Sequence, residues 1–135
     1  MIPQEATHLL EPQARILVVD DEPTVRQLVV RILTEAGYAV TAVADGWDGV
    51  TAAAAGLPYD LVITYSFLPY LTGDQLVGYL RRLYPKQPIL HLDDLARPIG
   101  EELRASTSRP QSFRVTALLN AVAGVLERAG RQAPH

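Results

Sequence analysis

Apolar residues in this chain fall into short runs that alternate with longer stretches of helical periodicity. Residues 15–20 form a run rich in β-branched side chains that ends in an acid, which is typical of a parallel strand covered on both faces. The other predicted strands are residues 38–43, 61–65, 88–93 and, more weakly, 105–108. This alternation of strands and helices predicts a doubly wound parallel α/β sheet with right-handed crossovers.

Each predicted helix has a recognisable start and one apolar face. The start signals are Pro23, Asp45, Thr72 with Gln75 at capping-box spacing, and Ser112, while a short helix over 99–104 is also predicted. Gly37 occupies the C-cap position of the first helix. The residues predicted to face the core are Val25, Leu28, Val29, Ile32 and Leu33, then Leu76, Leu80 and Leu83, and finally Val115, Leu118, Leu119, Val122, Val125 and Leu126.

Composition limits the class of protein. The 135 residues are 48% hydrophobic and 20% charged, which suits one globular domain, predicted over 15–129 between tails at 1–14 and 130–135. The absence of cysteine excludes disulfides and thiolate metal sites. No apolar run approaches the roughly 20 residues of a membrane helix, and no signal pattern begins the chain, so we expect a cytoplasmic protein without membrane contact. The net charge of −3 gives no general attraction to nucleic acid.

Acidic residues follow the predicted strands. Asp20 and Asp21 come directly after the first strand, while Tyr65 and Asp93 end the third and fourth. Because the carboxyl ends of parallel strands meet at one edge of the sheet, these side chains are expected to converge there. Two adjacent carboxylates on a buried strand end repel each other, and Mg²⁺ would offset that cost. The alternative is that the acidic pair only begins the loop and caps the first helix.

The segments at 16–23 (ILVVDDEP), 45–46 (DG), 60–64 (DLVIT) and 68–73 (LPYLTG) resemble the receiver domain of two-component response regulators, the CheY-like family. The resemblance covers residues 15–129 and is specific over 15–90. It implies a flavodoxin-like (βα)5 fold with strand order 2-1-3-4-5. Arg109 comes only 16 positions after Asp93, which implies a shortened fourth helix.

The resemblance also implies a role for each pocket position. Tyr65 stands where receivers carry the aspartate that accepts a phosphoryl group. Asp20, Asp21 and the main-chain carbonyl of Phe67 match ligands of Mg²⁺, and Asp93 stands where receivers place a Ser or Thr hydroxyl that contacts the phosphoryl group. Arg109, followed by Pro110, matches the Lys-Pro pair whose lysine contacts a phosphoryl oxygen. Ser106 falls where many receivers keep an aromatic switch residue.

These differences from the receiver pattern all indicate that aspartyl phosphorylation has been lost. A tyrosine phenol has a pKa near 10 and is a weak nucleophile at neutral pH. The carboxylate of Asp93 would repel an incoming phosphoryl dianion. We therefore expect an atypical, regulatory receiver-like domain that is not an enzyme, requires no cofactor and binds Mg²⁺ weakly at most. A further hypothesis is that Arg109 replaces the metal as counter-charge and locks the pocket.

Two other functions are open at this stage. One is an active receiver that accepts a phosphoryl group on another pocket carboxylate such as Asp93. The other is a small-molecule or nucleotide binder, although no glycine-rich phosphate loop follows the first strand. The expected partner is a histidine kinase or a downstream signalling protein, with a homodimer as a further option and no nucleic acid. No output domain follows the last predicted helix, so we expect a stand-alone protein or a fragment.

Two remaining residues are interpreted as structural. His91 lies within the fourth predicted strand and is expected to be a hydrogen-bonded residue of the fold. Trp47 begins the second predicted helix, where packing or a half-exposed position is expected.

Overall fold

The computed structural model describes residues 13–95 and 115–130, and the structural statements below concern those residues. Its elements in chain order are β1 (Arg15–Val19), α1 (Pro23–Glu35), β2 (Ala39–Val43), α2 (Gly46–Ala54), β3 (Leu61–Thr64), α3 (Gly73–Leu83), β4 (Ile89–His91), α4 (Leu92–Leu95) and α5 (Val115–Arg128). The predicted helix at 99–104, the predicted strand at 105–108, Ser106, Arg109 and Ser112 lie outside the described residues.

The described strands form a parallel sheet in the order β2-β1-β3-β4. In its register Val19 pairs with Val43 on one side and with Thr64 on the other, and Thr64 pairs with His91. This confirms the flavodoxin-like α/β fold and the predicted strand order as far as β4. The apolar residues of β1 and β3 are fully buried, as expected for central strands covered on both faces.

Helices cover both faces of the sheet. α2 packs against α3 and β1, whereas α5 packs against β4 and β3. α1 and α5 share one face, because Leu28 and Val115 line the same surface hollow. Right-handed crossovers from β1 to β2 and from β2 to β3 place α1 and α2 on opposite faces. No helix in these described ranges is long and apolar enough to cross a membrane.

Two predicted caps, Asp45 and Thr72, are present, the start of α1 needs a correction, and Ser112 lies outside the described residues. The Asp45 carboxylate accepts the N–H of Asp48 at 2.8 Å. Thr72 and Gln75 form both bonds of a capping box. At α1, however, the cap is Glu22, whose carboxylate accepts the N–H of Val25 at 2.7 Å. The N-cap of the first helix is therefore Glu22 and not the acidic pair, although the pair does begin the loop after β1.

Three residues predicted to face the core are largely exposed: Leu28 (45%), Leu83 (44%) and Val115 (48%). Leu28 lies on the flank of α1, since the buried side of that helix is Val25, Val29, Ile32 and Leu33. Leu83 and Val115 are terminal residues of their helices. The predicted apolar faces were therefore too wide and too long.

Candidate functional site

The carboxyl edge of the sheet brings the ends of three strands together. Because Val19 pairs with Thr64, Asp20 and Tyr65 leave neighbouring strands at the same level. Asp20 is fully buried and Tyr65 is 3% exposed, whereas Asp21 is exposed. The site is therefore a packed strand edge in which a phenol ring occupies the position next to a buried carboxylate.

Asp20 is fixed by both its main chain and its side chain. Its N–H donates to the carbonyl of Val43 at 3.2 Å, and its Oδ1 accepts the N–H of Glu22 at 2.9 Å. The guanidinium of Arg26 reaches back from α1 and donates to the Asp20 carbonyl at 2.8 Å. Sequence reasoning missed Arg26. It places a fixed positive charge beside an acidic segment.

The ring of Tyr65 packs edge-on against Phe67, with ring centroids 5.6 Å apart and planes at 63°. The Phe67 ring itself is 70% exposed. α3 approaches the same segment closely, because a Cβ on Gly73 would lie 2.6 Å from the carbonyl oxygen of Tyr65. The Gly73 N–H also donates to the carbonyl of Ser66 at 3.1 Å. Only glycine permits this contact between the helix start and the end of β3.

Asp93 lies in the first turn of α4 and not at the end of β4, which stops at His91. The strand prediction for 88–93 was therefore too long, because the chain turns into a helix at Leu92. Both carboxylate oxygens of Asp93 are held by Ser66. The Ser66 N–H donates to Oδ1 at 3.2 Å and its hydroxyl donates to Oδ2 at 2.8 Å.

His91 completes this network. Its Nδ1 lies 3.2 Å from the Ser66 hydroxyl oxygen. Because the single hydroxyl proton is donated to Asp93, the proton of the histidine contact comes from Nδ1–H of His91. The prediction that His91 is a hydrogen-bonded residue of the fold is confirmed. Ser66, which sequence reasoning missed, is the residue that joins β3 to β4 and α4.

The residues present fit a divalent metal poorly. In the described part of the chain, no group of three or more His, Asp or Glu side chains is placed to hold a metal ion. Mg²⁺ requires near-octahedral oxygen ligands. Here Asp20 already accepts a main-chain N–H, a guanidinium lies beside it, and residue 65 brings a phenol in place of a third carboxylate.

Comparison with known proteins identifies the class. Residues 16–94 match the family described as the response regulator receiver domain. The transcriptional regulatory protein PcoR of Escherichia coli is 36% identical over 123 residues, which cover 88% of this chain and 54% of PcoR. The chain belongs to the response regulator receiver domain family. It spans about half the length of the curated relatives it matches.

Solved structures agree with this assignment. The chemotaxis protein CheY4 of Vibrio cholerae superposes with a TM-score of 0.69 at 29% identity, covering 84% of this chain and 99% of CheY4. The response regulator TrrA of Thermotoga maritima, solved with Mg²⁺ and BeF, gives a TM-score of 0.67 at 28% identity, with the same coverage of 84% and 99%. TrrA has also been solved in complex with the histidine kinase ThkA.

Proposed function

We propose that this receiver domain signals through protein contacts in one fixed conformation, without aspartyl phosphorylation at position 65 and without catalytic activity of its own. The observation that carries the proposal is the contact between Asp93 and Ser66, whose N–H and hydroxyl both bind the Asp93 carboxylate. An anionic group of the protein itself thereby occupies donors at the strand edge, next to the buried ring of Tyr65.

The chemistry of residue 65 supports an atypical receiver. A phenol with an ordinary pKa near 10 is neutral at physiological pH and attacks phosphorus far less readily than a carboxylate. The ring is 3% exposed, so a phosphoryl donor would first have to displace it from its packing against Phe67. The negative charge of Asp93 would in addition repel the dianionic donor.

The fixed conformation is supported by the bonds around Ser66. This residue contacts Asp93 of α4, His91 of β4 and, through its carbonyl, Gly73 of α3. Three elements are thus joined at one point by contacts of the protein itself. On this proposal the contacts of Ser66 do what a bound phosphoryl group would otherwise do, so no cofactor is required.

Weak binding of Mg²⁺ is part of the same proposal. Arg109, the expected counter-charge, lies outside the described residues. Arg26 lies within them, and its guanidinium places a positive charge beside Asp20. Its guanidinium offsets part of the negative charge that would otherwise attract a metal. A residual site on Asp20, Asp21 and the Phe67 carbonyl would therefore be of low affinity.

The partner that this proposal implies is another signalling protein in the cytoplasm, either a histidine kinase or a downstream component. The complex of TrrA with a histidine kinase and the regulatory names of the curated relatives support this class of partner.

The test is intact mass after incubation with a small phosphodonor and Mg²⁺. The native protein should gain no phosphoryl mass, whereas a variant carrying Tyr65→Asp and Asp93→Thr should gain one that neutral hydroxylamine removes, as expected of an acyl phosphate. Tyr65→Asp alone separates the effect of the missing aspartate at position 65 from the effect of Asp93, because Asp93 still repels the donor in that variant.

A hydroxylamine-sensitive adduct on the native protein would overturn the proposal. If that adduct disappeared in Asp93→Asn, the domain would be an active receiver that uses Asp93 as acceptor. An adduct that persisted in Asp93→Asn would direct attention to Asp20.

A further inference from the structure

The outer face of α3 carries a glycine that the fold does not explain. Gly78 is the middle residue of α3, and a Cβ built on it meets nothing within 4 Å. Glycine in an exposed helix interior destabilises the helix relative to alanine. Gly73, by contrast, is required by a backbone contact within the same helix. No contact of the described fold accounts for glycine at 78, and the missing side chain leaves space for a partner that approaches α3 from outside.

Charges on this face are arranged symmetrically about Gly78. Asp74 lies four residues before it and Arg82 four residues after it, and all three positions are exposed on one stripe of the helix. A twofold axis through Gly78, perpendicular to the helix, would place each Asp74 opposite Arg82 of a second, antiparallel copy. The face is therefore complementary to itself in one register.

Aromatic side chains border the stripe and hold the arginine on it. The Arg82 guanidinium carbon lies 5.6 Å from the centre of the Tyr79 ring. Tyr79 in turn packs against Trp47 of α2, with centroids 5.5 Å apart, although Tyr79 is 38% and Trp47 is 51% exposed. Gln75, Gly78, Tyr79 and Arg82 line a shallow hollow of about 280 Å³. The hollow lies at Gly78, where a facing helix would make its closest approach.

We propose that a second copy of this chain docks on this face, with the two α3 helices antiparallel and crossing at Gly78. Two Asp74–Arg82 pairs would close the contact, and the Trp47–Tyr79 pair of each copy would cover its flanks. A different partner protein would need a helix that runs in the opposite direction and carries an acid, a small residue and a base at the same spacing. A second copy of this chain, related by the twofold axis, already carries that order. This inference does not depend on the phosphorylation state and goes beyond the proposed function.

The expected association is weak. One pair of helix faces buries less than the roughly 1,200 Å² of standard interfaces. Exposed ion pairs each strengthen association only a little. Self-association in the micromolar range or weaker is therefore expected, and because Trp47 is the only tryptophan, its fluorescence should change with protein concentration.

The sharpest test is complementation between two charge reversals. In Asp74→Arg both contacts of a dimer become Arg–Arg, and in Arg82→Asp both become Asp–Asp. Each variant alone should associate at least about tenfold more weakly than the native chain, which corresponds to about 1.4 kcal/mol. An equimolar mixture should regain native association, because the mixed dimer carries two Arg–Asp pairs. Sedimentation velocity over a concentration series measures this.

A disulfide test fixes the register independently. The chain has no cysteine, so Asp74→Cys and Arg82→Cys each introduce a single thiol. Mixed and oxidised together, they should form the mixed disulfide in preference to either symmetric one, since residue 74 faces residue 82 and not itself. Thr34→Cys on α1, which is exposed on the other face of the sheet, should give no preferred partner.

The proposal is overturned if the native protein stays monomeric at the highest attainable concentration. It is equally overturned if the single reversals associate like the native chain, or if mixing does not restore association. Circular dichroism on each variant before mixing shows that it is folded, and restoration by mixing cannot come from misfolded chains. None of these outcomes bears on whether residue 65 is phosphorylated.

Discussion

Ser66 has a small side chain at the carboxyl edge of the sheet, yet it links β3 to α4, β4 and α3. Its hydroxyl lies between Asp93 and His91, at 2.8 Å and 3.2 Å respectively. Without this hydroxyl, Asp93 keeps only the longer bond from the Ser66 N–H, and the His91 Nδ1–H loses its acceptor. Removing one member of a half-buried hydrogen-bond network of this kind is costly in free energy, because the remaining polar groups then lack partners.

We therefore expect Ser66→Ala to lower the free energy of unfolding by about 1–2 kcal/mol. Urea denaturation should show a lower midpoint with an unchanged slope. Thr51→Ala is the matched control, because it removes an exposed hydroxyl that bonds only to the carbonyl of Trp47 in its own helix. That variant should stay within about 0.5 kcal/mol of the native protein. Equal effects of the two substitutions would contradict the role assigned to Ser66.

Tyr38 provides a second prediction at the level of one residue. Burial raises the pKa of its phenol above the usual 10.0, and the negative charge of Glu127 raises it further. The unfolded chain therefore ionises Tyr38 first as pH rises. Its contribution to stability is fully present below pH 10.0 and is lost as pH rises from there through the folded-state pKa.

When the pH is raised from neutral to a value above the pKa of free tyrosine, the Tyr38→Phe variant should accordingly lose less stability than the native protein. Urea midpoints at both pH values measure the difference. Tyr70→Phe is the control, since this side chain is 91% exposed and should change alkaline stability little. If both substitutions flattened the pH dependence equally, burial would not be the cause.

The sequence predicted which residues reach the edge of the sheet better than it predicted their contacts. Asp20 and Tyr65 follow adjacent strands as expected, because strand ends are marked by apolar runs. The contact between Ser66 and Asp93 joins residues 27 positions apart, and no local pattern encodes it. Arg26 was missed for a similar reason, since its guanidinium bonds to a main-chain carbonyl, which any residue offers.

At the scale of elements, local signals predicted where each helix begins more reliably than which of its residues are buried. Asp45 and Thr72 cap their helices through side-chain bonds only three residues away, so the sequence contains the whole interaction. The exposure of Leu28 and Val115 depends on where α1 and α5 lie relative to each other. Periodicity alone does not specify that packing.

The two glycines of α3 give an element-scale prediction with a built-in control. A Cβ on Gly73 would lie 2.6 Å from the Tyr65 carbonyl oxygen and 2.8 Å from the Ser66 Cα, so Gly73→Ala must shift α3 away from β3. We expect a loss of about 1–3 kcal/mol. At Gly78 there is nothing within 4 Å, and Gly78→Ala should gain about 0.5–1 kcal/mol.

Thermal denaturation at low protein concentration compares the two substitutions without interference from self-association. The same chemical change in the same helix should thus shift the midpoint in opposite directions. At high concentration Gly78→Ala should in addition weaken association, because its methyl group separates the facing helices. A gain in monomer stability without any loss of association would argue against the crossing at Gly78.

On the scale of the whole molecule, global stability reports any ligand that binds the folded chain and not the unfolded one. Magnesium at ten times a given Kd stabilises a protein by about 1.4 kcal/mol, and at a concentration equal to Kd by about 0.4 kcal/mol. The acidic edge of this sheet holds two adjacent carboxylates and a nearby guanidinium. The comparison of native protein with Tyr65→Asp therefore measures what the missing third carboxylate would contribute.

We expect magnesium at about 10 mM to raise the unfolding free energy of the native protein by no more than about 0.4 kcal/mol. Tyr65→Asp should be less stable than the native protein without metal, because a third carboxylate then lies beside the buried Asp20. Magnesium should return about 1.4 kcal/mol or more to this variant, since the ion neutralises the repulsion that the substitution creates.

Sodium chloride at matched ionic strength controls for screening, and adding Asp21→Asn to the variant should remove most of the gain. If the native protein gained as much as Tyr65→Asp, then Asp20 and Asp21 would form a metal site that does not need residue 65. The chain would then retain the ligand chemistry of an active receiver in spite of its tyrosine.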